Sequence, residues 1–396
     1  MKVTGYFLIG FLFTITSSTV AFSQHSRYLS FYGGNGETPK SGLIQDAQGN
    51  FYGSTYVGGA YDFGEIYQIS PNPPSLTVLY SFNPNINDGL RPVGNLVLDQ
   101  AGNIYGVTDT GGNNACACGS VFELSPPAIP GTPWTETILY AFDTTIGDGF
   151  LPEAGLTFDT AGNLYGTTSQ GNSGVYELSP PSQPGGAWTE TVIASVGGNP
   201  QCTLVFDAQG NLYGTAPAGE NGGDLGVVFQ LVPPSQPGGV WTQNILHNFM
   251  GFGDGESPVA GLTLGQGNSV ALFGVTSIHN AVSVLFVMFP PPRPGANWIF
   301  EVVTDLSENE GQIVAPLVWG GPVTLYGAGT GTGGRIFSVS LANHNPVVTD
   351  LYDFQSFSIQ GQLLIGNRVM YGTSTIGGKG SCLEGIGCGT VWELTP

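Results

Sequence analysis

The chain has 396 residues, of which 9% are charged, 41% are hydrophobic, 63 are glycine and 28 are proline; typical soluble domains carry roughly 25% charged residues. Eight Lys plus Arg against 28 Asp plus Glu leave a formal charge of −20, a field that repels phosphate backbones and anionic lipid, so nucleic acid is not an expected partner. The hydrophobic share excludes a disordered chain, and glycine and proline between short apolar runs suit strands joined by turns.

Residues 1–23 have the pattern of a secretory signal peptide: Lys2 is the positive end, Tyr6 to Ile15 the apolar core, and Ala21-Phe-Ser23 a small-x-small cleavage site before Gln24. The apolar run falls short of the roughly 20 residues that span a bilayer. Residues 24–396 are therefore expected to form one exported domain, secreted or periplasmic, monomeric, and without membrane insertion once the signal is removed.

From Asp46 onward one pattern recurs. Asp46-Ala-Gln-Gly-Asn50-Phe-Tyr-Gly53 is followed by Asp99-Gln-Ala-Gly-Asn103-Ile-Tyr-Gly106, Asp159-Thr-Ala-Gly-Asn163-Leu-Tyr-Gly166 and Asp207-Ala-Gln-Gly-Asn211-Leu-Tyr-Gly214. Worn copies end at Phe273-Gly274, Tyr326-Gly327 and Tyr371-Gly372, making seven. An internal period of this length marks a repeat architecture. In the clearest copy, Gly155 to Asp159 reads as a strand, Asp159 to Asn163 as a tight turn, and Asn163 to Thr168 as the returning strand. Gly174 to Leu178 is a third strand, ended by Pro180-Pro181, and Trp188 to Ala194 a fourth.

Bulky residues on both faces require each four-stranded antiparallel unit to be covered on both sides, which blades packed around an axis provide. The expected fold is an all-β, seven-bladed propeller. Tyr28 to Tyr32 resembles a fourth strand and the chain stops after a third, Val391 to Leu394, so the N-terminal strand is expected to complete the C-terminal blade as its outer strand. The fifth and sixth copies, where Gly265-Gln-Gly-Asn268 and Gly320-Gly-Pro322 replace the turn, are degenerate blades or places where function has diverged.

Of the five cysteines, Cys382 and Cys388 flank a glycine-rich loop and suit a local disulfide in an oxidising compartment, whereas pairing of Cys116 with Cys118 across one residue is strained and Cys202 suits a core thiol. Zinc is not expected, for want of four closely spaced ligands.

Asn163-Leu-Tyr-Gly-Thr-Thr168 with Gly174-Val-Tyr-Glu-Leu178, and Gly119-Ser-Val-Phe-Glu-Leu124, resemble the GloVer repeat of secreted bacterial tandem-repeat proteins. The resemblance implies an exported, propeller-like protein and carries over no catalytic residues.

The loops from fourth to first strand and from second to third share one face, around the channel mouth, where ligands are expected. There Asn87-Asp-Gly89, Gly147-Asp-Gly149, Gly253-Asp-Gly255 and Asn35-Gly-Glu37 each precede a proline. Asp88, Asp148, Asp254 and Glu37, joined by Glu153 and Glu256, are candidates for a calcium rim; the alternative is that they are turn residues capping local backbone. Asp46, Asp99, Asp159 and Asp207 lie on the opposite face and suit a folding role. Trp134, Trp188, Trp241 and Trp298 open successive outer strands, where the indoles pack under loops or stack on sugars. His25, His247, His279 and His344 fall in unlike contexts, and Glu308 with Glu310 would serve a glycosidase only if the fold set carboxyls across a cleft. The expected function is an exported, non-enzymatic binding scaffold for protein or polysaccharide. The alternative is a calcium-dependent propeller hydrolase or lactonase with its site on the acidic rim.

Overall fold

A computed structural model describes residues 28–395 apart from 113–115, 145–146, 184, 219–224, 237, 252, 268–269, 278–282, 294, 307–311, 331–333, 343–344, 355–357, 367–368, 379–381 and 383–386. Residues 1–23, expected to be a signal segment, and His25, His279, His344, Glu308 and Glu310 lie outside the described residues. Among the described residues no helix is long and apolar enough to cross a membrane.

Seven four-stranded antiparallel sheets form seven blades around one axis, in the strand order the repeat requires. In blade 3 the strands are Thr157–Phe158, Leu164–Thr168, Gly174–Ser179 and Thr189–Ala194. The fifth and sixth copies also build complete blades, beginning at Glu256–Leu264 and Val318–Gly321. Loss of the Asp-x-x-Gly-Asn turn therefore costs neither copy its sheet. In the last blade, Tyr28–Ser30 pairs with Thr390–Leu394 in the register Tyr28↔Trp392, so the chain's first strand is the outer strand of its last blade.

The repeat motif is a folding module. The Asp46 carboxylate accepts from the backbone N–H of Gln48 (2.9 Å) and Asn50 (2.8 Å), the Asn50 amide (2.8 Å) and the Tyr52 hydroxyl (2.9 Å). Asp99, Asp159 and Asp207 do the same in their blades. One carboxylate thus closes the turn and ties it to the returning strand.

The glycine after each tyrosine makes room for a ring from its own blade. A Cβ on Gly53, Gly166 or Gly372 would lie 2.3, 2.3 or 2.1 Å from the side chain of Tyr67, Tyr176 or Trp392, the residue directly opposite on the third strand. The aromatic ring fills the space the glycine leaves.

Seven hydrophobic clusters, each built from two successive blades, make up the core. One leucine per blade, just before the inner strand or, in blades 2 and 5, within it, is at most 5% exposed: Leu43, Leu96, Leu156, Leu204, Leu262, Leu317 and Leu363. The tryptophans join blade to blade: Trp134, Trp188, Trp241 and Trp298 set their rings edge-on to Tyr52, Tyr105, Tyr165 and Tyr213 of the preceding blade.

The loops into the inner strands are pinned in the same repeated way. Thr38, Arg91, Leu151 and Ser257 each precede a proline at φ between 49° and 60°, and their N–H groups donate to Cys388, Phe63, Cys118 and Leu225 of the blade before. The following prolines pack against Gly389, Gly64, Gly119 and Gly226. Gly389 meeting Pro39 shows the contact between last and first blades to be the same as the internal ones. Both Cys382–Cys388 and Cys116–Cys118 are disulfides, the second against the sequence expectation, and Cys202 is a buried free thiol.

Candidate functional site

The residue after each loop proline, or its equivalent, lines one mouth of the axial channel: Lys40, Val93, Glu153, Gln201, Val259, Val314 and Gln360, one per blade. With Asn95, Asp109 and Gln362 they enclose a cavity of about 300 Å³, at the small end of the range for small-molecule sites. The ring is asymmetric. Blades 5 and 6 contribute Val259 and Val314, whereas blades 7, 1, 3 and 4 contribute Gln360, Lys40, Glu153 and Gln201.

The charges concentrate at blades 1 to 3. The Lys40 ammonium sits 3.4 Å from the centroid of the Tyr56 ring, and the Arg91 guanidinium carbon lies 5.6 Å from the same centroid, both cation–π distances. The Tyr56 hydroxyl donates to Asp109 Oδ2 at 2.7 Å, and the Gln201 amide donates to Glu153. Yet Asp109 Oδ1 and Arg91 Nε are buried with no hydrogen-bond partner. Among the described residues the Lys and Arg ion pairs are Arg335–Asp350 and Arg335–Asp353, so neither Lys40 nor Arg91 is neutralised by contact. Burial pushes the Lys40 pKa down, with Asp109 and Glu153 opposing; burial pushes Asp109 up, against the Tyr56 hydrogen bond, Thr110 and the two cations. Cations and carboxylates gathered without pairing, with buried polar atoms left over, are suited to a ligand that supplies the missing partners.

Lys40 and Arg91 are two of the four cationic side chains among the described residues. Read one at a time they suggest no cluster, because they come from different repeats. Aligning the repeats on Pro39, Pro92, Pro152, Pro200 and Pro258 exposes Lys40 and Glu153 as members of one ring, since the next residue lines the mouth, whereas Arg91, which precedes Pro92, is placed only by its contact with the Tyr56 ring.

The candidate rim acids lie in four separate loops, each engaged locally. Asp88 and Asp148, 2% and 6% exposed, do not project: each accepts a hydroxyl from the tyrosine of its own fourth strand, Tyr80 at 2.8 Å and Tyr140 at 2.7 Å. Asp254 meets His247 Nε2 at 3.1 Å and the Met250 N–H. Glu37 stands beside Cys382 and Cys388, the only group of three metal-type side chains among the described residues, but those sulfurs are bonded to each other. Burial, then the charge of Asp62, pushes the Glu37 pKa up.

The fold and its mouth define a tandem-repeat β-propeller of seven blades with a charged axial site. Residues 4–178 match the Gloeobacter/Verrucomicrobia repeat, the family that the sequence motif resembles, and the later blades keep the same strand and glycine–aromatic positions. A search of curated proteins finds no match. Among solved structures, a polysaccharide lyase of the ulvan lyase type bound to -[GlcA(1-4)Rha3S]- is similar at 9% identity and TM-score 0.53, over 93% of this chain and 96% of its own. A proposed 6-phosphogluconolactonase from Bacteroides fragilis is similar at 12% identity and TM-score 0.52, over 84% and 87%. A chain of the mitotic checkpoint complex is similar at 11% identity and TM-score 0.52, over the full length of both. Likeness across such different proteins speaks to the propeller fold alone.

Proposed function

We propose that the chain is an exported, non-enzymatic propeller that binds a protein or polysaccharide partner through the loop face around the Lys40–Glu153 mouth. The observation that carries this reading is the charged cluster itself: Lys40, Asp109 and Glu153 line the open end of a channel, Arg91 shares the Tyr56 ring with Lys40, and Asp109 Oδ1 is orphaned, all held by rigid blades. The test is a glycan array and a peptide library probed with parent and Glu153→Ala protein. Binding to a defined probe that weakens at least about tenfold in Glu153→Ala, with the melting temperature unchanged, supports the reading. A probe bound equally by both proteins overturns it.

The second reading is a hydrolase or lactonase. It is favoured by Asp109 and Glu153 lining the same mouth as the half-buried Lys40, and calcium, if it takes part, would act by polarising a carbonyl. Lactones and glycosides assayed with calcium and with chelator separate the two. Turnover lost in Asp109→Asn marks an enzyme, and a calcium-dependent melting shift lost in Asp148→Ala marks a rim metal.

A further inference from the structure

A groove on the flank of the propeller, between blades 4 and 5, departs from the repeat in a directed way. The outer strand of blade 4, Thr242–Asn248, and the loop carrying Asn297 and Trp298 enclose about 820 Å³, more than twice the mouth cavity. In blades 1, 2 and 3 the third and fourth strands face each other there as Gln68↔Thr77, Glu123↔Thr137 and Glu177↔Thr191; in blade 4 the pair is Gln230↔Asn244, which alone of these four sets two amides opposite each other. The two amides are linked, Asn244 Nδ2 donating to Gln230 Oε1 at 3.1 Å, and Gln230 Nε2 donates to the Tyr213 hydroxyl at 3.0 Å. Further along the strand, Tyr140 and Ala141 of blade 2 give way to His247 and Asn248.

None of the 12 residues lining the groove is an acid, a lysine or an arginine. His247 adds no charge at neutral pH, because burial pushes its pKa down against the pull of Asp254. Trp298 divides this groove from a second depression of about 410 Å³ beside Pro290, Pro291 and Pro292. Its ring, edge-on to Tyr213 at 5.8 Å, therefore borders open space on two sides.

We propose that this groove binds a neutral polysaccharide segment, independently of the axial mouth. Sugar hydroxyls need donors and acceptors at once, which an amide offers and a carboxylate does not. The apolar face of a pyranose fits an indole wall. In a chain of charge −20, a groove without carboxylates admits a neutral chain with no ionic contact to compensate, whereas an anionic chain meets the surrounding field.

Calorimetry with cellohexaose, xylohexaose and mannohexaose as neutral probes, and a guluronate hexamer as the charged control, tests the proposal. At least one neutral hexasaccharide is expected to bind, with affinity falling at least about tenfold in Trp298→Ala. Because Trp298 also packs on Tyr213, a second variant, Gln230→Glu with Asn244→Thr, reinstates the pair found in blades 2 and 3; it should lose binding while melting like the parent. Lys40→Ala should bind as the parent does, which separates this groove from the mouth. Failure of every neutral hexasaccharide, preference for the guluronate control, or full binding by the Gln230→Glu, Asn244→Thr variant overturns the proposal. So does an extended peptide displacing the sugar probe as the tighter ligand, since the exposed strand edge would then be the recognition element.

Discussion

Glu136 and Asp88 form an acidic pair with buried carboxylate oxygens at the interface of blades 1 and 2, and its titration should be visible in the stability of the whole ring. Asp88 spends Oδ2 on the Tyr80 hydroxyl and the Asn83 N–H, while Asp88 Oδ1 and Glu136 Oε1 are buried without partners. Burial, then the neighbouring Asp88 charge, pushes the Glu136 pKa up to about 8. The folded state thus holds a proton that the unfolded chain releases above its ordinary value of 4.5. Stability from this group is complete below that value and is lost as pH rises through about 8. At about 1.4 kcal/mol per pKa unit the ceiling is roughly 5 kcal/mol; water reaching the partly exposed side chain reduces the expected loss to about 2 kcal/mol. Glu136→Gln keeps the shape and removes the titration. Melting followed by circular dichroism at pH 5 and pH 8.5 should show the variant matching the parent at the lower pH and exceeding it by roughly 2–4 °C at the higher. A difference that is the same at both pH values would refute the reasoning. The next interface repeats the arrangement with Tyr140, Asp148 and Glu190, whose pKa burial and Asp148 push up to about 7, so Glu190→Gln should behave alike.

Removing Tyr28 to Phe31 takes away the outer strand of the last blade and the fully buried Phe31, and should cost at least about 4 kcal/mol; a truncated chain with the parent's denaturation midpoint would disprove closure. Asp46→Ala should cost about 2 kcal/mol, because four donors lose one acceptor at a turn that water can partly reach. Burial pushes Asp46 up, but hydrogen bonds from Asn50, Tyr52 and Gln48 outweigh it and hold the pKa below 3.8. Its contribution is therefore present above that value and fades as pH falls below it, so a gap between parent and variant that persists undiminished in strong acid would contradict this role. Gly166→Ala places a methyl 2.3 Å from the Tyr176 hydroxyl oxygen and should cost about 3 kcal/mol; Tyr176→Leu in the same chain should recover part of the loss in a urea titration, and no recovery would mean the ring is not what the methyl meets.

The sequence by itself determined the repeat, and with it the blade. A turn built on Asp159, Gly162 and Asn163 and strands of fixed spacing are local chemistry, written in consecutive residues, so blade number and ring closure followed by counting. Which face the loops share also followed, since antiparallel alternation leaves one answer once the strands are assigned. The role of Gly166 did not, because the ring that fills its space comes from the third strand and depends on register. The acids Asp88 and Asp148 were legible as loop residues, but only packing turned them inward onto Tyr80 and Tyr140. The mouth and the flank groove belong wholly to the tertiary structure. Lys40, Arg91, Asp109 and Glu153 are drawn from blades 1, 2 and 3 and meet because the blades converge on an axis, and the groove forms where an outer strand of blade 4 faces a loop of blade 5. Both depend on contacts between residues far apart in the chain, which a repeat places side by side only after it has closed into a ring.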